Sequence, residues 1–254
     1  MGIGKVSSLA AASLSKVNRL AKLSIGKISG FTASFAAACG AVALEGNEYA
    51  VAFDGVNEHI TTSADSTAQD ATYSFWMKSS TSGDNKGIFG HGSASVGTFG
   101  IYGDRPLAYF GSGWQCYWDE DDATDDGNWH HWMVFVDISA IGSSKLYIDG
   151  NLVGVNQVRS YGSLSSYTNG IYLGRSHNDY FTGSIDEFAI FTGDKTACAA
   201  TYYNSGTPTD LSGESNLIGY WRMEEGTGTS VADDSANSNA GTLVNTPTWE
   251  AYGD

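Results

Sequence analysis

The stretch "SKLYIDGNLVGV", residues 144–155, decides the fold. Apolar and polar residues alternate on either side of Asp149–Gly150–Asn151. Alternation at period two turns one side of a strand to a core and the other to water. An Asp-Gly pair between two such runs predicts a tight hairpin, because the favoured turn needs positive φ at its centre. The pattern continues outward. Upstream lie "YAVAFDGVNEHITT" (49–62), with a second turn at Asp54–Gly55, then "ATYSFWMKSS" (71–80), "GTFGIYG" (97–103), "LAYFGSGWQCYW" (107–118) and "WHHWMVFVD" (129–137). Downstream follow "NGIYLGR" (169–175), "FTGSIDEFAIF" (181–191), "LIGYWRME" (217–224) and "GTLVNTPTW" (241–249). One helix is predicted in the body, over "DKTACAATYYNSG" (194–206), with Asp194 as N-cap and Gly206 past its end. Many short strands without βα alternation predict two packed antiparallel sheets, an all-β jelly-roll sandwich.

Charge divides the chain of 254 residues. Residues 1–44 hold five cations and no carboxylate, while the rest sets 8 cations against 28 carboxylates, a balance of −20. Phosphates would be repelled by such a body, which excludes nucleic acid as its ligand. No apolar run approaches the length of about 18 residues that a transmembrane helix needs. The only signal-like stretch, "FTASFAAACGAVAL" (31–44), follows a cationic leader too long for an ordinary signal peptide. Its "AAAC" faintly resembles a lipoprotein cleavage site. Cys39, Cys116 and Cys198 are odd in number and widely spaced, so they read as buried free thiols and leave the compartment open.

The basic arm, residues 1–44, repeats. "IGKVSSLA" begins at Ile3, "LSKVNRLA" at Leu14 and "IGKISGFT" at Ile25. Lys5, Lys16 and Lys27 recur every eleven residues, as do Val6, Val17 and Ile28. Eleven residues close on three helical turns, so a helix would carry one apolar stripe suited to packing against its own copies. Gly4, Gly26 and Gly30 weaken that helix. The alternative is an extended arm docking each repeat in an equivalent groove. Either form makes the arm an anchor, on a homo-oligomer (a trimer among the forms allowed) or on an acidic assembly.

With these segments in order, "AVAFDGVNEHI", "NWHHWMVFVD", "KLYIDGNLVG", "IYLGRS" and "FTGSIDEFAIF" resemble the strand motifs of the laminin-G-like, concanavalin A-like jelly-roll superfamily. The resemblance covers roughly residues 47–205. "LIGYWRMEEGTGTSVADDSANSNAGTL" also resembles a family segment, one that usually precedes the "FDG" strand. Here it comes last, at 217–249. The expected arrangement is therefore one permuted jelly roll over 45–254, completed from its far end. The arm's repeats ahead of such a domain resemble virion proteins of tailed marine phages.

The resemblance implies two sites. A structural calcium would sit in "DDSANSN", held by Asp233, Asp234, Asn237 and Asn239, with a partner carboxylate from Asp186 or Glu187. Two family glycines are Ala236 and Ser238 here, and the competing reading is a polar turn whose Asx side chains bond their own backbone. Weak glycan contact would involve Trp114, Tyr117 and Trp118, with His177, Asn178 and Tyr180 as a second group. The opposing reading places half of these aromatics in the core, since Trp114, Cys116 and Trp118 alternate. Related glucanases carry alternating carboxylates on one strand, and "WDEDDATDD" (118–126) does not match them. His130 and His131 are strand neighbours on opposite faces and cannot share a metal. No GxSxG, HExxH or P-loop is present. The expected function is a non-enzymatic virion structural protein, a capsid decoration or fibre, that displays a lectin-like domain to cell-surface glycans. The alternative is a secreted or surface bacterial lectin-like module with residues 1–44 as leader.

Overall fold

The computed structural model describes residues 39–44, 46–65, 70–80, 86–92, 97–103, 105–110, 114–119, 125–160 and 170–253. The chain divides at Ala38/Cys39, so the body begins ahead of the Glu45 start expected from sequence. The arm repeats, with Lys5, Val6, Lys16, Val17, Lys27 and Ile28, lie outside the described residues.

Two large antiparallel sheets form the sandwich. One runs Asn151–Val153, Lys145–Ile148, Trp129–Val136, Ala71–Lys78, Thr182–Thr192, Tyr49–Asp54, Thr248–Ala251, with Leu217–Trp221 also paired to Thr182–Thr192. The other runs Val155–Ser160, Trp114–Trp118, Pro106–Tyr109, Thr98–Ile101, Lys86–His91, Ile171–Leu173, His59–Thr61, Gly241–Val244, Ser230–Val231. The predicted hairpin is present, with Asp149 at φ 50° and Gly150 at φ 75°. At the other turn Asp54 Oδ1 accepts the Val56 N–H at 2.8 Å. Gly55 there has φ +77°, and a Cβ would lie 1.9 Å from Thr182 Oγ1.

Between the sheets lies an aromatic core. Phe75, Phe89, Phe99, Trp118, Trp132, Phe188 and Trp221 are all fully buried in it, and Phe75 stacks on Phe188 at 5.2 Å. A smaller core forms on the outer face of the eight-stranded sheet. There Ala189, Phe191 and Tyr220 meet Cys198, Ala199 and Tyr202. The predicted helix is broken into Thr196–Cys198, Ala199–Tyr203 and Asn204–Gly206. Asp194 Oδ1 accepts the Thr196 N–H at 2.8 Å, but Lys195 and not the expected Asp194 holds the N-cap position of Thr196–Cys198.

The segment that comes last in sequence is woven into both sheets. Leu217–Trp221 pairs with the Phe188–Phe191 end of Thr182–Thr192. Gly241–Val244 pairs with His59–Thr61, and Thr248–Ala251 pairs with Tyr49–Asp54.

The cysteines differ from the sequence expectation. Cys39 and Cys198 form a disulfide, so only Cys116 is a free buried thiol among the three. Burial pushes that thiol up to about 12. Sequence spacing could not pair the two because they are 159 residues apart.

His130 and His131 have opposite electrostatics. His130 hydrogen-bonds Asp149 at 2.7 Å, which raises its pKa. His131 is fully buried, bonded to Ser74 Oγ at 2.9 Å, and desolvation lowers it to about 3. A depressed pKa means that the unfolded chain takes up a proton near its ordinary 6.5 while the folded chain does not. Folding stability from this group is thus present above pH 6.5 and lost as pH falls toward 3. Relative to His131→Gln, the wild type should lose about 1.4 kcal/mol per pH unit between pH 6 and 4. Denaturant unfolding of both chains across that range checks the slope; parallel curves would refute it.

Candidate functional site

Strand register builds a groove on the outer face of the nine-stranded sheet. Ala108, Cys116 and Trp118 point into the core, so their neighbours Tyr109, Gln115 and Tyr117 point outward. Pairing aligns Thr98 with Tyr109, Tyr109 with Gln115, and Gln115 with Arg159. The adjacent row aligns Gly100, Leu107, Tyr117 and Gln157. Gly100 lacks a side chain, and Tyr102, His177 and Asp179 close that end. The resulting open groove, of about 350 Å³, is lined by these residues from Thr98 to Tyr117. A second depression continues it past Tyr102 and Tyr117 to Arg105, Gln157 and Arg159.

The groove's polar groups are held in place. The Tyr102 hydroxyl bonds Ser176 Oγ at 2.9 Å and donates to Asp179 Oδ2 at 3.1 Å. Burial pushes its pKa up to about 12, so it stays a donor at neutral pH. The Arg159 guanidinium lies 5.6 Å from the centre of the Tyr117 ring.

Of the sequence-predicted glycan residues, Tyr117 and His177 line this groove. Trp118 does not, because it is fully buried in the core. Trp114 is half-buried and packs against the same core. The Trp118 indole offers no free face, the outcome that strand alternation warned of, whereas Trp114 keeps part of its surface exposed. Asn178 is exposed and donates to His177 Nε2 at 3.2 Å. Tyr180 is half-buried under the Arg175 guanidinium, 5.3 Å away. Tyr102, Tyr109, Gln115, Asp179, Arg105 and Arg159 were missed. Only cross-strand register unites them, and no local motif carries it.

Of the predicted metal residues, Asp233, Asn237 and Asn239 share one turn beside Ile218 and Tyr220, while Asp186 lies in a separate cluster. Asp233 Oδ1 accepts the N–H groups of Tyr220 and Ser235, both at 2.9 Å, and Oδ2 accepts that of Asn239 at 2.7 Å. Asn237 Nδ2 donates to the carbonyls of Leu217 and Ile218. Asn239 donates to Ile218 as well. The exposed Asp234 contributes its backbone N–H to Tyr220 O. This is the polar turn, stitched to its own backbone, with Ser238 at φ 58° in a place that suits glycine.

Asp186 belongs to a different set. The register of Thr182–Thr192 against Ala71–Lys78 slips between Asp186 and Ala189, a β-bulge. Glu187 takes φ 49° there. Ile185 and Phe188 both reach the inter-sheet core, so the two carboxylates between them share the outer face. Glu224 joins them, and oxygens of all three lie within 4.8 Å of one another. Asn47 Nδ2 donates to Asp186 Oδ2 at 2.9 Å. Tyr220 Oη donates to Glu187, and Arg222 Nε lies 3.5 Å from it. Burial, then the charge of Glu187, raises Asp186 well above the usual carboxylate range. Burial also carries Glu187 up to about 8, against the pull of Tyr220 and Arg222.

The family comparison matches this architecture. Residues 54–199 fit the laminin-G family model of the concanavalin A-like lectin/glucanases superfamily. The chain belongs to that superfamily. Comparison with curated protein sequences found no match. Among solved structures, a candidate carbohydrate-binding protein from Bacteroides ovatus superposes with TM-score 0.62 at 16% identity, over 82% of this chain and 60% of that one. A heptameric SAP-like pentraxin from Limulus polyphemus gives 0.48 at 12%, over 65% and 86%. The LG4-5 domains of the mouse laminin alpha1 chain give 0.42 at 20%, over 61% and 44%. The concanavalin A-like member described here thus spans 60% of the Bacteroides protein's length, and the likeness is one of fold.

Proposed function

We propose that this concanavalin A-like domain is a non-catalytic glycan-binding module, and that its ligand is an acidic sugar held in the Tyr102–Tyr109–Tyr117 groove. The observation that carries the reading is the groove's composition. Three tyrosines offer ring faces, and Gln115, Asp179 and Thr98 offer acceptors and donors for hydroxyls. Arg105 and Arg159 lie in its continuation, in a body whose balance is −20. Two cations gathered there favour a carboxylated or sulfated saccharide. Among the described lining residues Asp179 is the only carboxylate, whereas glycoside hydrolysis takes a pair. The name of the Bacteroides relative, a carbohydrate-binding protein, supports a saccharide as the ligand.

A glycan array containing neutral, uronic and sulfated oligosaccharides tests the reading. Tyr117→Ala should weaken the best ligand about tenfold, which corresponds to about 1.4 kcal/mol, with an unchanged melting point. Arg159→Gln should weaken acidic ligands and leave neutral ones alone. An array with no ligand retires the proposal.

The virion role rests on the eleven-residue repeats of the arm, whose copies on a particle would turn shallow sites into avidity. The Cys39–Cys198 disulfide supports an oxidising environment, where such bonds persist, and on the secreted reading it requires a leader that ends before Cys39 and not at residue 44. It also sets aside the lipoprotein reading of "AAAC", because a Cys39 sulfur bonded to Cys198 cannot carry a lipid. Intact mass of the native protein separates the two: survival of residues 1–38 supports the anchor, and their removal supports the leader.

A further inference from the structure

A small hairpin, Arg175–Ser176 paired with Asp179–Tyr180, divides the outer face of the nine-stranded sheet. It lies on the strand Lys86–His91, where two glycines admit it. A Cβ on Gly87 would collide with Asp179 O, and one on Gly90 would lie 3.2 Å from Ser176 Cα. On one flank His177 and Asp179 line the groove. On the other flank the Arg175 guanidinium lies 5.4 Å from the centre of the Tyr172 ring and 5.3 Å from that of Tyr180. His59 adds a third ring, 5.4 Å from Tyr172 and 6.1 Å from Tyr180. Burial lowers the His59 pKa, so that ring is uncharged at pH 7 and Arg175 is the cation of the cluster. Among the described residues Arg175 makes one hydrogen bond, from Nε to His177 O at 3.0 Å, and no ion pair. Its outer guanidinium nitrogens therefore have no carboxylate of the protein to neutralise them.

One line across the sheet joins the two flanks. Cross-strand register runs from Tyr172 through Gly90, Thr98, Tyr109 and Gln115 to Arg159. Five strand spacings separate its ends, about 24 Å. Arg105, Arg159 and Arg175 are three of the four arginines that follow residue 44, and all three sit on this face of a body whose balance is −20. We propose that this face binds a linear acidic polysaccharide laid across the hairpin, with the groove as one subsite and the Arg175–Tyr172–Tyr180 cluster as a second. The inference rests on the groove taking an acidic sugar, and adds the length and charge spacing of that ligand. A single terminal sugar fills one flank and cannot touch both. The acid groups it takes are the carboxylates of uronic acid residues. A guanidinium grips a carboxylate through two parallel hydrogen bonds, and the tyrosine rings cover sugar faces between the charges. A densely sulfated chain would set many unpaired anions against 28 carboxylates of the protein, whereas few and widely spaced cations suit a chain with sparser charge. Two shallow contacts on one chain reinforce each other, because the first holds the second sugar at high effective concentration.

The test is isothermal titration of the full chain with di-, tetra- and octasaccharides of galacturonate and of mannuronate, beside a sulfated and a neutral octasaccharide. In the tighter uronate series the octasaccharide should bind roughly a hundredfold better than the disaccharide, at one chain per protein. Arg175→Gln should weaken the octasaccharide about tenfold and leave the disaccharide unchanged. Tyr172→Ala, on the sheet and outside the hairpin, should do the same, and it decides the matter if Arg175→Gln loosens the hairpin and His177 with it. Arg159→Gln should weaken both lengths. Equal affinity for both lengths, or an octasaccharide indifferent to Arg175→Gln and Tyr172→Ala, overturns the second subsite and leaves the groove reading standing. Tighter binding of the sulfated chain overturns the uronate. Binding of no acidic saccharide at any length removes the groove reading and this inference together.

Discussion

A chain ending at Ser215 should not fold. The segment it lacks contributes Tyr220, Trp221, Met223 and Val231, each fully buried, and Leu243, 7% exposed. Burying a large apolar side chain stabilises by about 1.5–3 kcal/mol, so these five together carry roughly 10 kcal/mol. A domain's whole stability is about 5–15 kcal/mol. The backbone loss adds to this. The Phe188–Phe191 edge, the His59–Thr61 strand and the Tyr49–Asp54 strand would each lose a neighbour. Near-ultraviolet circular dichroism should be flat and limited proteolysis complete. A trimmed but cooperative domain would show instead that the last strands are an appendage. Rearrangement is the stronger control. Tyr252 N donates to Glu48 O at 2.9 Å, so the end of the segment lies beside the start of the body. A chain running 216–253, short linker, 47–215 restores the order that the family resemblance implies and should recover a cooperative transition. It lacks the disulfide, so its melting point should fall below that of the full chain.

The strands were legible because their signals are local. Period-two alternation and the Asp54–Gly55 and Asp149–Gly150 turns each lie within a few residues, and the sandwich follows from burying one face of every strand. What sequence did not reveal is pairwise and distant. Register unites Thr98, Tyr109, Gln115 and Arg159 in one row across four strands, and nothing near any of them announces it. The bulge is a sharper case. Strict alternation in "FTGSIDEFAIF" puts Asp186 and Glu187 on opposite faces. One extra residue, with Glu187 at φ 49°, puts them on the same face and creates the carboxylate cluster. The sequence grouped Asp186 with Asp233, Asp234, Asn237 and Asn239, whereas its carboxylate neighbours in the fold are Glu187 and Glu224. Asp233, Asn237 and Asn239 have side chains that suit an ion and suit an Asx turn equally well. The backbone N–H groups of Tyr220, Ser235 and Asn239, which the sequence does not place, bond the Asp233 oxygens.

Opening the Cys39–Cys198 bond should be the most damaging change available to two atoms of the protein. The bond closes a loop across 159 residues, and in the chain-entropy account a loop of that length is worth about 5 kcal/mol. For a domain of this size that corresponds to a fall in melting point of roughly 10–20 °C. Local structure depends on it too. Cys39 and Ala41 pack against the small core beneath the Ala199–Tyr203 helix, and Val42–Ala43 pairs with Thr209–Asp210. Reductant should reproduce the effect of Cys198→Ser, and Cys39→Ser should match it. The double variant should be no worse than either single one, because both remove the same bond. Cys116→Ser is the control: it alters a core contact but should leave the reductant-dependent shift intact. If reductant moves the melting point equally in wild type and in Cys198→Ser, the bond does not hold the fold. If the shift appears as predicted, the body reaches full stability only where thiols are oxidised. A virion protein would then mature after leaving a reducing cell, and a secreted one would do so on the way out.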